Sequence, residues 1–62
     1  MSITTILAEK FVTAIKARDS HPPESKKWES ENTKADEIIR KAASLYALNE
    51  FSIEVNKPHH WQ

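Results

Sequence analysis

Apolar side chains recur every three or four positions through residues 33–51 of this chain. The series comprises Ala35, Ile38, Ile39, Ala42, Leu45 and Tyr46. This spacing is typical of an α-helix that buries one face. Asp36 and Glu37 each lie four residues before a basic residue, Arg40 or Lys41, which is the favourable order for ion pairs on an exposed helix flank. The pattern therefore predicts an amphipathic helix.

A second apolar stripe predicts another helix, from residue 3 to about 18, with Ser2 as its N-cap. Pro22 and Pro23 then interrupt helical structure, because the residue before a proline is disfavoured in the helical region. We therefore predict a proline loop over residues 19–23 and one long second helix over residues 23–50. Helices joined by so short a loop lie antiparallel, so the predicted fold class is all-α, an antiparallel helical hairpin.

Two segments allow alternatives. Residues 24–32 are nearly all polar, so they form either the first turns of helix 2 or a frayed extension of a helix capped at Asn32 or Thr33. Residues 51–55 alternate apolar and polar side chains, a strand-like pattern with no second strand to pair with. Either the helix continues through them, or they pair with a second copy or another protein. We expect residues 51–62 to form an extended C-terminal tail.

The small size of the chain limits its stability. With 62 residues, apolar burial contributes about 90 kcal/mol, and ordering the chain costs about the same. There is no cysteine, so no disulfide adds to the balance. We therefore expect two hairpins to dimerise into a four-helix assembly. The positions expected to be most buried, in the core or the dimer, are Leu7, Phe11, Ile15, Ile38, Ala42 and Leu45, followed by Ile39 and Tyr46.

The residue types present offer little catalytic chemistry. Glycine is absent, which removes phosphate-binding loops and nucleophile elbows. Asp19, Ser20 and His21 are neighbours in sequence and cannot line up as orienter, nucleophile and base. His59 and His60 are adjacent, which makes a poor preformed metal site. We expect no catalytic, cofactor-binding or metal-binding residues, no cofactor and no enzymatic activity.

Protein binding is the function that this composition favours. Its candidate partner-binding residues are aromatic or apolar side chains outside the main stripes: Trp28, Phe51, Ile53, Val55 and Trp61. Trp28 can instead anchor helix 2 on helix 1. Acidic and basic residues number nine each, so nucleic-acid binding is the weaker alternative. Its candidate contacts form a basic hairpin tip: Lys10, Lys16, Arg18, Lys26 and Lys27.

No run of residues has the length and apolarity of a membrane span, and the first twenty residues lack the features of a signal peptide. We therefore expect a cytoplasmic protein that does not enter membranes. We also expect it to bind itself and one other protein.

The opening Met-Ser-Ile-Thr-Thr-Ile-Leu-Ala-Glu-Lys-Phe, the ending Asn-Lys-Pro-His-His-Trp-Gln and the overall size resemble one group of phage proteins. These are the small early-region accessory proteins of lambda-like temperate phages, encoded between the exonuclease and excisionase genes. The resemblance covers the whole chain and carries over no functional residues. It implies a small regulator, cytoplasmic in the host cell, that binds a host protein and influences the choice between lysis and lysogeny.

Overall fold

The computed structural model describes residues 2–62. They form three α-helices, α1 (Ile3–Asp19), α2 (Lys26–Ser44) and α3 (Leu48–Val55), followed by a single 3-10 turn at Pro58–His60. Over these residues no strand is present, which confirms the all-α class. Helices α1 and α2 pack against each other, as predicted for the hairpin.

Side-chain caps determine where α1 and α2 begin. The Ser2 hydroxyl accepts the Thr5 N–H at 3.2 Å, as expected for an N-cap. Helix α2 starts at Lys26, three residues later than predicted, because the Ser25 hydroxyl accepts the Trp28 N–H at 3.1 Å. Glu24 has a φ angle of 69°, and this left-handed conformation prevents a helix from starting at Pro23. Residues 26–32 are helical, so the frayed alternative is not what the structure adopts.

The predicted helix over residues 23–50 is in fact two helices. Helix α2 stops at Ser44, where the Tyr46 N–H donates to the Ala43 carbonyl at 3.0 Å and the Ala47 N–H donates to the Ala42 carbonyl at 3.0 Å. These two bonds form a Schellman motif, which requires a left-handed residue, and Tyr46 supplies it with a φ of 55°. Helix α3 then begins at Leu48.

The break in the helix is needed for core formation. Phe51 follows Ala42 by nine residues, which is about two and a half helical turns, so an unbroken helix would place them on opposite faces. In the structure Leu7, Ala8, Ala42 and Phe51 form one buried cluster. The rings of Phe11 and Phe51 meet edge to face, with centroids 5.3 Å apart. The chain reversal therefore lets both apolar stripes reach the same core.

Burial differs from the sequence prediction at several positions. Leu7 and Ala42 are buried, Phe11 and Ile38 are partly buried against them, and Ile15 is half-buried. Leu45 is 42 % exposed and lies outside the buried cluster, because it caps the C-terminal end of α2, where the chain leaves the helix. Ile39 and Tyr46, which the sequence predicts to be the next most buried, are also exposed.

The C-terminal residues differ from the expected extended tail. Residues 51–55 belong to α3, which packs against α1. After the 3-10 turn, the Trp61 indole N–H donates to the Val55 carbonyl at 2.7 Å. The Lys16 ammonium lies 5.9 Å from the centroid of that ring, a cation–π distance. These contacts hold the end of the chain beside α1, so α1 has α2 on one side and α3 with the tail on another.

Candidate functional site

Three of the seven large apolar side chains that are exposed among the described residues lie at the junction of α2 and α3. Leu45, Tyr46 and Leu48 are 42 %, 99 % and 46 % exposed, and we call these three residues the apolar corner. Ile39 and Ala43 lie one turn apart on the preceding helix, and both are exposed. An exposed group of large apolar residues is more informative than any one of them, because such patches mark contact surfaces.

The apolar corner is rigidly supported by the core. Ala42, whose side chain is fully buried, precedes it, and Phe51, which is 5 % exposed, follows it. Between these anchors the two Schellman hydrogen bonds fix the backbone. Tyr46 adopts a left-handed conformation that costs about 1–2 kcal/mol for a residue with a Cβ atom. The fold thus presents a tyrosine, fully in solvent, at a position where glycine is usual.

Trp28 packs inside the chain instead of presenting its ring. It is half-buried, and the Arg18 guanidinium stacks 5.3 Å from its ring centroid. The same guanidinium donates to Asn32 Oδ1 at 3.0 Å and to Asp19 Oδ1 at 3.2 Å. Trp28 therefore joins the end of α1 to the start of α2. Arg18, a residue of the predicted basic tip, is engaged in that junction.

The other candidate partner-binding residues separate into buried and exposed groups. Phe51 is core, which corrects its assignment as a partner-binding residue: its ring packs on Phe11 and is not available to another protein. Val55 is partly buried against the same cluster. Ile53 is 59 % exposed and Trp61 is 46 % exposed, so both can contact a partner.

An open groove of about 680 Å³ runs between α1 and α2. Ile6, Leu7, Ala14 and Ile38 supply its apolar lining. Its remaining lining is polar, with Thr13 and six charged side chains, three acidic and three basic: Glu9, Glu31, Glu37, Lys10, Lys34 and Lys41. The groove is therefore amphipathic and carries no net charge.

The described residues contain no group of three or more His, Cys, Asp or Glu side chains that could hold a metal ion. The rings of His59 and His60 lie 4.0 Å apart. The side-chain hydrogen bond and the charge of Asp36 raise the pKa of Arg40, an exposed group. Within residues 2–62, no helix combines the length and apolar character that crossing a membrane requires.

The chain matches no protein-family model, no curated protein and no solved structure.

Sequence reasoning missed the apolar corner, since it placed Leu45 and Tyr46 among the inward positions. The apolar corner could have been predicted from the helix faces on which the apolar residues fall, because this face changes along the sequence. Ile38, Ala42 and Leu45 share one helix face, whereas Phe51 falls on the opposite face of the same continuous helix. For Phe51 to reach the same core as Ala42, the helix has to break between residues 45 and 51, although no glycine or proline marks the break.

Proposed function

We propose that this protein is a non-enzymatic protein-interaction module and that the apolar corner is its contact surface. The observation that carries the proposal is Tyr46, which is 99 % exposed and held in a left-handed backbone conformation. Backbone strain of this kind persists where the surrounding structure enforces it, and it concentrates at functional sites. Tyrosine is also among the residues that contribute most to binding energy at protein interfaces.

The chemistry of the corner indicates the kind of partner surface that fits it. The Tyr46 ring would enter an apolar pocket with a hydrogen-bonding group at its base for the phenol hydroxyl. Leu45 and Leu48 would close over the rim of that pocket and exclude water. An interface of this type depends on apolar contact, so binding should persist at moderate salt. Phosphate contacts would instead weaken steeply as salt rises.

The proposed module also binds a second copy of itself. The described residues expose 4486 Å², whereas a compact chain of this mass exposes about 4,100 Å². Within residues 2–62, alanines alone are completely buried. Burial between two chains would add the apolar contact that one chain lacks. Together with the resemblance to phage accessory proteins, these features favour a dimeric regulator, cytoplasmic in the host cell, that binds a host protein and influences lysis versus lysogeny.

The experiment compares capture from a lysate of the native host by three immobilised proteins: the wild type, Tyr46→Gly and Glu24→Gly. Both substitutions relieve a left-handed residue, so neither should weaken the fold. Only the first removes the tyrosine from the apolar corner. We expect Glu24→Gly to retain the captured protein and Tyr46→Gly to lose it, at low and at moderate salt. Equal capture by both variants would show that the corner is not the contact surface.

A further inference from the structure

We propose that the groove between α1 and α2 is the self-association surface, and that it is covered by the same groove of a second copy. In this arrangement the two α2 helices run antiparallel about a twofold axis at the level of residue 36. The inference rests on the proposed self-association and specifies its face and register. Leu45, Tyr46 and Leu48 do not line the groove, although Leu45 lies just beyond its end on the same face of α2 as Ile38.

The groove combines an apolar floor with one continuous row of charges. Along α2 the charged lining residues alternate in sign, in the order Glu31, Lys34, Glu37 and Lys41. Ile38 lies among them on the same side of the helix. Four side chains of alternating sign form a pattern that is complementary to its own reverse. A second α2 laid antiparallel on the first can therefore place Glu31 directly opposite Lys41, and Lys34 within one residue, about 1.5 Å along the helix, of Glu37.

The register follows from residue numbers. With the axis at the level of residue 36, Glu31 lies opposite Lys41 of the second copy, and Lys34 lies opposite the segment that carries the second copy's Glu37. Each pair occurs twice by symmetry, as an isologous interface requires. A parallel arrangement of the two α2 helices would instead set Glu31 against Glu31 and Lys41 against Lys41. Like charges directly opposed are unfavourable, so charge complementarity selects the antiparallel arrangement.

One ion pair within the chain engages two members of this row: Lys34 contacts Glu31 at 3.0 Å, with the Lys34 side chain 62 % exposed and the Glu31 side chain 20 % exposed. Among the described residues, Glu37 and Lys41 take part in none of the ion pairs that the chain forms with itself. The Asp36–Arg40 pair is far from the groove, because both residues lie more than 150° around the helix from Ile38, by about 100° per residue. That pair provides a control on the opposite face.

Charge reversal tests the register by sedimentation equilibrium. Lys41→Glu and Glu31→Lys should each weaken the dimer about tenfold, since each turns two attractive pairs into repulsive ones. The double variant Glu31→Lys/Lys41→Glu should return the dissociation constant to within about threefold of the wild type, because the swapped pairs attract again. Arg40→Glu changes the same amount of charge on the opposite face and should leave the dimer unchanged.

Outcomes of this experiment separate the two proposals. A chain that is monomeric at every concentration would overturn both the self-association and the groove interface. A dimer that Lys41→Glu weakens no more than Arg40→Glu does would overturn the groove interface alone. Failure of the double variant to recover, with the helicity of both single variants intact by circular dichroism, would overturn the antiparallel register. Capture through the apolar corner is measured separately, and none of these variants changes Leu45, Tyr46 or Leu48.

A distance measurement tests the same register without altering the groove charges. The chain has no cysteine, so Lys27→Cys carries a nitroxide label at one site only. Residue 27 lies nine positions from the proposed axis, and its two copies should therefore be offset along the helix by about 27 Å. A parallel pair of α2 helices would bring the labels within about 20 Å. That shorter distance, measured by pulsed electron resonance, would overturn the proposal.

Discussion

Replacing Tyr46 by glycine should stabilise this protein, although most substitutions destabilise the proteins that carry them. The backbone at Tyr46 has a φ of 55°, where a Cβ atom crowds the following carbonyl at a cost of about 1–2 kcal/mol. The side chain is 99 % exposed, so removing it sacrifices almost no buried surface. Glycine adopts this conformation without the steric penalty.

The size of the gain can be estimated from two opposing effects. Removing the steric penalty favours the folded state, while the greater freedom of glycine in the unfolded chain opposes it by about 0.5–1 kcal/mol. The net expectation is a stabilisation of about 0.5–1 kcal/mol. In a domain of this size each kcal/mol moves Tm by about 4–8 °C, so Tm should rise by about 2–8 °C.

Thermal and urea unfolding, followed by far-ultraviolet circular dichroism, measure this change. All variants are compared at one protein concentration, because self-association makes Tm depend on concentration. Glu24→Gly provides a matched positive control, since Glu24 is exposed and has a φ of 69°. Leu45→Gly provides the negative control: Leu45 has a φ of −93°, where glycine offers no relief, and this variant should be less stable.

A Tyr46→Gly protein that unfolds at least 1 kcal/mol more readily than the wild type would refute the reasoning. That result would mean that the tyrosine ring packs against other residues in solution. The left-handed turn would then be maintained by side-chain contacts and not by the Schellman hydrogen bonds. Such a protein could not be used to separate binding from folding at the corner.

Further predictions concern the core and the caps. Phe51→Ala should destabilise the fold by about 3–5 kcal/mol, because this ring joins α3 to α1. Since the chain is marginally stable, most of its helical circular dichroism should be lost at room temperature. An unchanged melting curve would contradict that role. Leu45→Ala should cost no more than about 1 kcal/mol, because Leu45 is exposed, whereas Leu7→Ala should cost about 2–5 kcal/mol, because Leu7 is buried. Equal costs in urea titrations would contradict this difference in burial between Leu45 and Leu7. Ser25→Ala should cost about 0.5–2 kcal/mol by removing the hydroxyl that caps α2, and Ser25→Asp should restore most of it. If the alanine variant melts like the wild type, this cap does not contribute to stability.

Several features of the fold could be predicted from the sequence because they depend on local spacing. The apolar stripe after Ser2 and the stripe around Ile38 each identify a helix and its inward face. Pro22 and Pro23 mark the loop because their effect on the backbone is covalent and does not depend on surroundings. The N-cap at Ser2 is local in the same sense, since its hydroxyl bonds three residues ahead.

Only tertiary structure decided where α2 ends and what becomes exposed. No glycine or proline marks the break at Tyr46, and the local preferences of residues 44–48 allow a continued helix. The chain reverses there because the Phe51 ring packs on Phe11, forty residues away in sequence, and an unbroken helix would point it away from the core. The reversal places Phe51 inside and Tyr46 in solvent. A contact between distant residues therefore determined the candidate site. The free energy gained by burying the Phe51 ring exceeds the cost of the strained turn.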